Sequence, residues 1–279
     1  MFRNSLTRLG RSTVQRWTAV SRPAVTRVAV RAMATGGAAL ADLKAASPHV
    51  DVVRYEHKNR TWSLNHVDYY STAMAIGFID GGLRPSDVIL SWLPEHFSEQ
   101  MILQFACSKA GLVLYTLKPA GEDTAAAQDA LTAALTLTKA NMLVTPEAYN
   151  DLNYIRLVHG VIPELRVFTQ EKGLPFVTPR FPHLRYPVHT GFDQLDKEAW
   201  LPYRYFLVPS DNLDKLIDTS KLTDKTPLAG TFELDAKGIP TKLGPTLTNQ
   251  QVFEKNIWPT YNSILQKKFH DVEGIGNIW

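Results

Sequence analysis

Cysteine is nearly absent from this chain of 279 residues, which contains only Cys107. A single thiol excludes an internal disulfide framework and a cysteine-based zinc site. Long hydrophobic runs are also missing. The nearest one, residues 133–144, is interrupted by threonine and lysine, whereas a transmembrane helix needs about 18 uninterrupted apolar residues. The sequence therefore predicts no membrane-spanning helix.

Acidic residues are absent from the beginning of the chain. Residues 1–31 contain seven arginines and no Asp or Glu, and the first acidic residue is Asp42. The whole chain carries a net charge of +3, so subtracting these seven positive charges (3 − 7) leaves −4 for the remainder. The main body therefore gives no electrostatic reason to expect a nucleic-acid partner.

The basic arm, residues 1–34, has the composition of a mitochondrial presequence. It is rich in Arg, Ser and Thr, and its apolar residues recur at helical intervals: Phe2, Leu6, Leu9, Val14 and Trp17. A cationic amphipathic helix is attracted to an anionic membrane and to an inside-negative potential. The alternative is a disordered basic tail that binds lipid or RNA. We expect a mitochondrial protein, on the matrix side of the inner membrane.

Strand and helix signals alternate through the main body. The candidate strands are 52–55, 88–93, 112–115 and 142–144, the candidate helices begin at Ser63, Ser98 and Thr124, and the cycle restarts at 163–168. A capping box at Thr248 and Gln251 predicts a further helix. Short turns marked by glycine and proline connect these elements. This pattern predicts an α/β fold with a mostly parallel sheet flanked by helices.

Composition divides the chain into four segments. The basic arm is followed by an Ala- and Gly-rich stretch at 35–50, which we predict to be a linker. The α/β domain is predicted to span 51–256. The last segment, 257–279, carries isolated aromatic residues and is predicted to be a tail that docks on partners.

Several short segments resemble the first part of the adenylate-forming enzymes, the family that includes acyl-CoA synthetases. They are Arg-Thr-Trp-Ser at 60–63, Gly-Leu-Arg-Pro-Ser-Asp-Val at 82–88, Leu-Pro-Glu at 93–95, Ala-Cys-Ser-Lys-Ala-Gly-Leu-Val at 106–113, and the segment 181–191. Each turn is common, but their order and spacing resemble the family across residues 50–256. The resemblance implies the first subdomain of the family's large domain. The matching residues shape a fold and perform no chemistry.

The family's phosphate-binding loop has a degenerate counterpart at 229–249. Gly238-Ile-Pro240, with Lys242 and Thr248-Asn249 after it, resembles the second half of the family pattern, Gly-x-Pro-Lys-Gly followed by Thr-His. The first half of such a loop needs small residues, because backbone N–H groups and hydroxyls must close on a triphosphate. This chain carries Phe-Glu-Leu-Asp at 232–235 instead. We therefore expect that the loop no longer holds ATP.

Five residues remain candidates for a retained nucleotide site: Gly230, Thr231, Gly238, Lys242 and Thr248. The alternative is a surface loop with inherited glycines. The resemblance also implies a magnesium- and adenine-binding Thr-Glu pair, of which the chain has no convincing copy. It further implies a ribose-binding Asp and a C-terminal lysine, both of which we expect to lie past the end of this chain. We accordingly predict a pseudoenzyme with no cofactor, no metal and no catalytic residue.

Other reactive side chains have simpler explanations. His183 and His189 are six residues apart with no third ligand nearby, so a metal site is not expected. Cys107 has no adjacent base, which favours a buried small hydrophobic residue. The acidic cluster at Asp193, Asp196 and Glu198 is interpreted as a solvated helix start.

Aromatic residues give a candidate interaction surface, and for the stretch 200–206 the alternative is local packing. Its members are Trp200, Tyr203, Tyr205, Phe206, Trp258 and Trp279.

Two classes of function follow. The first is a non-catalytic accessory subunit of a large mitochondrial assembly, with an inner-membrane respiratory complex or the ATP synthase as the leading expectation. Its partners are other protein subunits, and it associates with the membrane only through them or through the arm. The alternative is an acyl-CoA- or nucleotide-binding protein, including one half of a split acyl-CoA synthetase. A truncated gene model is a third interpretation, against which the aromatic-bearing final segment argues.

Overall fold

The structure is a computed structural model that describes residues 35–56, 59–169, 176–192, 194, 197–208, 217 and 222–273. The basic arm and Trp279 lie outside the described residues, as do Asp193 and Asp196. The helices are α1 (Gly36–Ala46), α2 (Leu64–Asp80), α3 (Ser98–Ala110), α4 (Thr124–Thr138), α5 (Tyr154–Val161), α6 (Asn249–Glu254) and α7 (Pro259–Leu265). Two short 3-10 helices cover Pro163–Arg166 and Tyr203–Phe206.

The strands are β1 (Asp51–Tyr55), β2 (Arg60–Ser63), β3 (Val88–Ser91), β4 (Val113–Thr116), β5 (Met142–Thr145), β6 (Ala148–Tyr149), β7 (Leu152–Asn153), β8 (Tyr186–His189), β9 (Leu201–Pro202), β10 (Pro227–Gly230), β11 (Phe232–Leu234), β12 (Pro240–Leu243), β13 (Leu247–Thr248) and β14 (His270–Val272).

A seven-stranded sheet organises the fold, in the order β13-β10-β4-β3-β5-β8-β9. Every neighbouring pair is parallel except β10 and β13. Ile89 of β3 pairs with Leu114 on one side and Met142 on the other. The inner strands are mostly apolar, as expected where helices cover both faces of a parallel sheet. The predicted α/β class with a mostly parallel sheet is confirmed.

The helix ends follow the chemistry of their terminal residues. Ser63 and His66 form a capping box at the start of α2, and Thr248 and Gln251 form another at α6. Gly111 ends α3 with φ +70°, a left-handed conformation that glycine adopts without steric cost. The start of α3 differs by one residue from the prediction, since Phe97 is the N-cap and Ser98 is already helical.

Residues 163–168 do not form the next strand. Pro163 begins a 3-10 helix instead, because proline lacks an N–H and its fixed φ suits a first helical turn. The cycle resumes only at β8, within the segment 181–191 that resembles a strand and turn of the family.

The prediction that 35–50 is a linker is wrong, because Gly36–Ala46 forms helix α1. Thr35 caps it, with its hydroxyl accepting from the N–H of Ala38 at 3.1 Å. A β-carbon on Gly36 would overlap the hydroxyl of Tyr261, and one on Gly37 would overlap Lys109. The glycines that suggest a linker thus permit a close approach between α1, α3 and α7.

The residues predicted to be a docking tail belong to the core as far as the structure describes them. Trp258, Tyr261 and Ile264 are buried in the same apolar cluster as α2 and α3. β14 pairs in parallel with β1 near the start of the domain. The predicted boundary at residue 256 therefore cuts through one packed unit. Residues 274–279 lie outside the described residues.

A buried cluster of charged side chains joins helices α1, α2 and α3. The carboxylate of Asp68 on α2 lies 2.6 Å from Nζ of Lys109 on α3 and 3.1 Å from Nζ of Lys44 on α1. The side chains of Asp68 and Lys109 are 2% and 7% exposed. A charge buried this deeply is tolerated only while it is paired.

We predict that Asp68→Ala lowers the free energy of unfolding by about 3–5 kcal/mol, because it leaves Lys109 as an unpaired buried charge. Lys109→Ala should cost less, since Lys44 still pairs with Asp68. Lys242→Ala is the matched control: it breaks the exposed pair between Lys242 and Glu233, and such pairs are worth only ~0.2–1 kcal/mol. Urea unfolding measures all three variants. Equal stability losses for Asp68→Ala and Lys242→Ala would show that the buried cluster does not hold the helices.

Candidate functional site

The residues that resemble a phosphate loop form a β-hairpin. Strands β11 and β12 pair antiparallel, with Phe232 opposite Leu243 and Glu233 opposite Lys242. The hairpin follows β10, which pairs in parallel with β4. It therefore lies beyond the carboxyl end of a sheet strand, where open α/β sheets place their ligand sites.

The turn of this hairpin already holds an anionic group of its own. One carboxylate oxygen of Asp235, Oδ1, accepts from the backbone N–H groups of Lys237 and Ile239, each at 2.8 Å. The N–H of Gly238 donates to the carbonyl of Asp235 at 3.0 Å. Three consecutive turn N–H groups are thus engaged within the hairpin. These are the kind of donors with which a loop binds phosphate.

Three further polar side chains in and beside the hairpin have partners within it or next to it. Nζ of Lys242 lies 3.4 Å from Oε1 of Glu233. The hydroxyl of Thr241 donates to the carbonyl of Glu233, and the hydroxyl of Thr231 donates to the carbonyl of Pro245 at 2.8 Å. The lysine that resembles the family's loop lysine therefore faces a carboxylate of its own chain.

Gly230 allows the ring of Tyr115 to pack closely against the backbone. A β-carbon at this position would overlap the ring of Tyr115 on β4. The ring of Phe232 lies 5.1 Å from that of Tyr115, centroid to centroid. Burial raises the pKa of Tyr115. Gly238, by contrast, has φ +81° and open space around it, so its conformation alone accounts for the glycine.

Thr248 is a helix cap and lies apart from the hairpin. Its hydroxyl accepts from the N–H of Gln251, and its own N–H donates to Oε1 of Gln251 at 3.0 Å. Asn249, which stands where the family pattern has His, accepts from the hydroxyl of Tyr261 at 2.6 Å. Both residues therefore have structural partners.

A cleft of about 550 Å³ lies beside the hairpin. Gly230, Thr231 and Gly238 line it, whereas Lys242 and Thr248 do not. Its other walls are the segment after β4, the first turns of α4 and the junction between α6 and α7, including Lys118, Ala126, Ala130, Ile257 and Trp258. Sequence reasoning missed this cleft, because its walls are distant in the chain and carry no motif.

Most of the predicted aromatic surface is buried. Trp200, Tyr203, Phe206 and Trp258 are 0%, 2%, 7% and 3% exposed. The indole N–H of Trp200 donates to Nε2 of His159, and the hydroxyl of Tyr203 donates to the carbonyl of Glu99. Local packing therefore accounts for Trp200, Tyr203 and Phe206, and Trp258 is likewise packed in the core. Of the six candidates, Tyr205 is exposed and Trp279 lies outside the described residues.

The two histidines considered as metal ligands lie in different environments. His189 is fully buried: its Nδ1 accepts from the N–H of Gly191 at 3.1 Å, and its Nε2 bonds Oε1 of Gln194 at 2.6 Å. His183 is exposed. Within the described ranges no three His, Cys, Asp or Glu side chains converge as metal ligands. Cys107 is completely buried, and burial raises the pKa of its thiol.

Sequence reasoning also missed a half-buried carboxyl group after β3. Nε2 of Gln104 donates to both carboxylate oxygens of Glu95 at 3.1 Å. Burial raises the pKa of Glu95 to about 7, opposed in part by this hydrogen bond. Glu95 lies in the segment that resembles the family's Leu-Pro-Asn. No motif marks this glutamate in the sequence, and its burial is visible only in the structure.

We predict that Glu95→Gln changes how stability depends on pH. The folded state raises the pKa of this carboxyl from 4.5 to about 7, so it binds the proton more tightly than the unfolded state does. This contribution is complete below pH 4.5 and is lost as the pH rises through 7. The neutral amide should therefore be more stable than wild type at pH 8, by ~1–3 kcal/mol, and should remove the decline.

Urea unfolding between pH 5 and pH 8.5 tests this expectation. Glu122→Gln, at an exposed position, is the matched control and should keep the wild-type profile. A Glu95→Gln profile parallel to that of wild type would contradict the assigned burial effect.

Among known proteins, only solved structures match this chain. No family model and no curated protein matches the sequence. Acetoacetyl-CoA synthetase from Streptomyces lividans matches 87% of this chain with a TM-score of 0.64 and 12% identity, and the match covers 38% of that enzyme. The luciferase-like enzyme of the mealworm Zophobas morio matches 85% of this chain with a TM-score of 0.62 and 13% identity, over 53% of its own length.

A fatty acid AMP ligase from Legionella pneumophila shows the same relation, with a TM-score of 0.52, 12% identity, and coverage of 80% of this chain and 32% of its own. The chain thus spans roughly a third to a half of the length of these enzymes. Identities this low establish the fold alone. The expected resemblance is confirmed at that level: the chain has the fold of part of the acyl-CoA and AMP ligases.

Proposed function

We propose that this chain is a non-catalytic accessory subunit of a large mitochondrial assembly, derived from an acyl-CoA synthetase-like ancestor. An inner-membrane respiratory complex or the ATP synthase is the leading candidate, with the protein on the matrix side. The observation that carries the loss of catalysis is the turn at 235–239. Its backbone N–H groups bind the carboxylate of Asp235 where a ligase loop would bind phosphate.

Electrostatics argue in the same direction. A triphosphate at this hairpin would meet the carboxylates of Asp235 and Glu233, and the charge of Lys242 is already directed at Glu233. Phosphoryl chemistry depends on positioning and on charge stabilisation. A hairpin that supplies negative charge opposes both.

The mitochondrial location rests on the arm, with its seven arginines and no acidic residue. Protein partners are favoured over nucleic acid because the rest of the chain has a net charge of −4 (3 − 7). No helix in the described part of the chain is long and apolar enough to cross a membrane. Membrane association is therefore assigned to the partners or to the arm.

The accessory role predicts that the native protein migrates with a large complex. Mitochondria are solubilised in mild detergent, separated on a native gel and probed for this chain. We expect a species far larger than the 31.3 kDa of the free chain, with a second gel dimension identifying the subunits that comigrate. A protein found only at its monomer mass would refute the accessory role.

The second candidate is an acyl-CoA- or nucleotide-binding protein, or one half of a split synthetase. The cleft beside the hairpin favours it, since about 550 Å³ is within the usual range of small-molecule sites. Thermal unfolding distinguishes the two candidates. A ligand at 100 times its Kd adds about 2.7 kcal/mol of stability.

We predict that ATP with magnesium leaves the unfolding midpoint of the wild-type protein unchanged. The double variant Glu233→Thr, Asp235→Ala should instead be stabilised by millimolar inorganic triphosphate, because it frees turn N–H groups and removes two carboxylates. Asp224→Ser, at an exposed position outside the hairpin, is the matched control. Stabilisation of the wild-type protein by ATP would overturn the pseudoenzyme proposal in favour of the second candidate.

A further inference from the structure

We infer that Glu95 and Gln104 form a pH-sensitive switch, which holds the loop 93–97 against helix α3 while the Glu95 carboxyl carries a proton and releases the loop when that proton is lost to solvent. The inference is independent of the proposed accessory function. It depends on three features: how the two side chains meet, where they lie, and what the loop connects.

The first feature is an incomplete pairing between a carboxyl and an amide. Nε2 of Gln104 lies 3.1 Å from both carboxylate oxygens of Glu95, so one nitrogen is shared by two acceptors. The other amide atom, Oε1 of Gln104, is buried and has no hydrogen-bond partner among the described residues. A buried acceptor without a donor costs free energy. A proton on Glu95 supplies that donor, because the carboxyl then donates to Oε1 while its second oxygen accepts from Nε2.

The second feature is the position of the pair. Gln104 on α3 is fully buried, whereas Glu95 is half-buried in the loop. The carboxyl therefore has two environments within reach, the closed pairing with Gln104 and the open solvent beside the loop. Burial raises the pKa of Glu95 to about 7 in the closed pairing, whereas water favours the ionised form. Loss of the proton thus shifts the balance from closed to open.

Titratable side chains of three other packed elements lie near the pair. Burial, and then the charges of Glu99 and Glu95, raise the pKa of Tyr55 on β1. Burial and the Glu99 charge also raise the pKa of Tyr203 in the second 3-10 helix, so both tyrosines stay neutral near pH 7. Glu99 on α3 accepts at Oε2 from the hydroxyl of Ser98, at 3.0 Å. An ionised Glu95 therefore places a second carboxylate beside the same tyrosine, which disfavours the closed state.

The third feature is what the loop connects. Phe97 is the N-cap of α3 and makes no side-chain capping bond, and its N–H donates to the carbonyl of Pro94 at 3.1 Å. The rings of His96 and Phe97 each lie 5.6 Å from that of Tyr149 on β6. Release of Glu95 therefore loosens the start of α3 and its contact with the β6–β7 hairpin. The loop follows β3 at the carboxyl end of the sheet, so the switch alters the end at which open α/β sheets bind ligands.

Nuclear magnetic resonance of the whole chain between pH 5.5 and pH 8 tests the switch. The side-chain amide of Gln104 should shift with a midpoint near pH 7. The backbone N–H of Phe97 should lose protection from hydrogen exchange as the pH rises, after correction for the intrinsic effect of pH on exchange. A pKa of about 7 when closed and 4.5 when open implies about 30-fold more opening at pH 8 than at pH 5.5.

Glu95→Gln should abolish both changes and keep the loop closed, because its amide cannot ionise and can donate to Oε1 of Gln104 as the protonated carboxyl does. Two controls should keep the wild-type behaviour. One is Glu122→Gln, at an exposed position. The other is His96→Gln, since histidine also changes charge near neutral pH. The wild-type titration requires no variant, so it tests the switch even where a variant fails to fold.

Three results would overturn the inference. If the amide of Gln104 does not titrate across this range, the carboxyl and the amide do not form a proton-dependent pair. If the titration persists in Glu95→Gln or disappears in His96→Gln, another group is the sensor. If the amide titrates while the protection of Phe97 stays constant, the pair does not control the loop.

Discussion

The fold depends on a carboxylate that is buried between two lysines. Asp68 accepts Lys109 and Lys44 across three helices, and it fixes how α1, α2 and α3 lie against each other on one face of the sheet. In that arrangement Gly36 approaches Tyr261 closely and Gly37 approaches Lys109. With these helices fixed, α7 and β14 close over the same core, so that the beginning and the end of the described chain fold as one unit.

The candidate loop stands outside this framework, which explains how its chemistry can change while the fold persists. Glu233 and Asp235 are exposed, and their partners lie on the same hairpin. Substitutions there have little effect on the core. Gly230, by contrast, must lack a side chain, because a β-carbon there would overlap the ring of Tyr115. A ligase-like framework with an altered loop is therefore a physically consistent state of this sequence.

Much of the fold could be predicted from the sequence, and the failures share a cause. The strands β1, β3, β4 and β5 follow from short apolar runs between turn residues, since periodicity and punctuation are local signals. The helix α1 and the burial of Trp258 depend on contacts across long stretches of chain, which no local pattern reports. Glycine at 36 and 37 is ambiguous in sequence, because it suits a linker and a tight helix contact equally well.

The candidate site also has one part that the sequence predicts and one part that only the structure shows. The loss of small residues at 232–235 is visible in sequence, but the use of Asp235 as an internal anion requires the turn geometry. That geometry changes the argument about function. A loop with bulky residues is merely a poor phosphate site, whereas a loop whose N–H groups already bind a carboxylate must break those bonds before it can accept a ligand. The competition favours the internal group, since it is covalently held at high effective concentration.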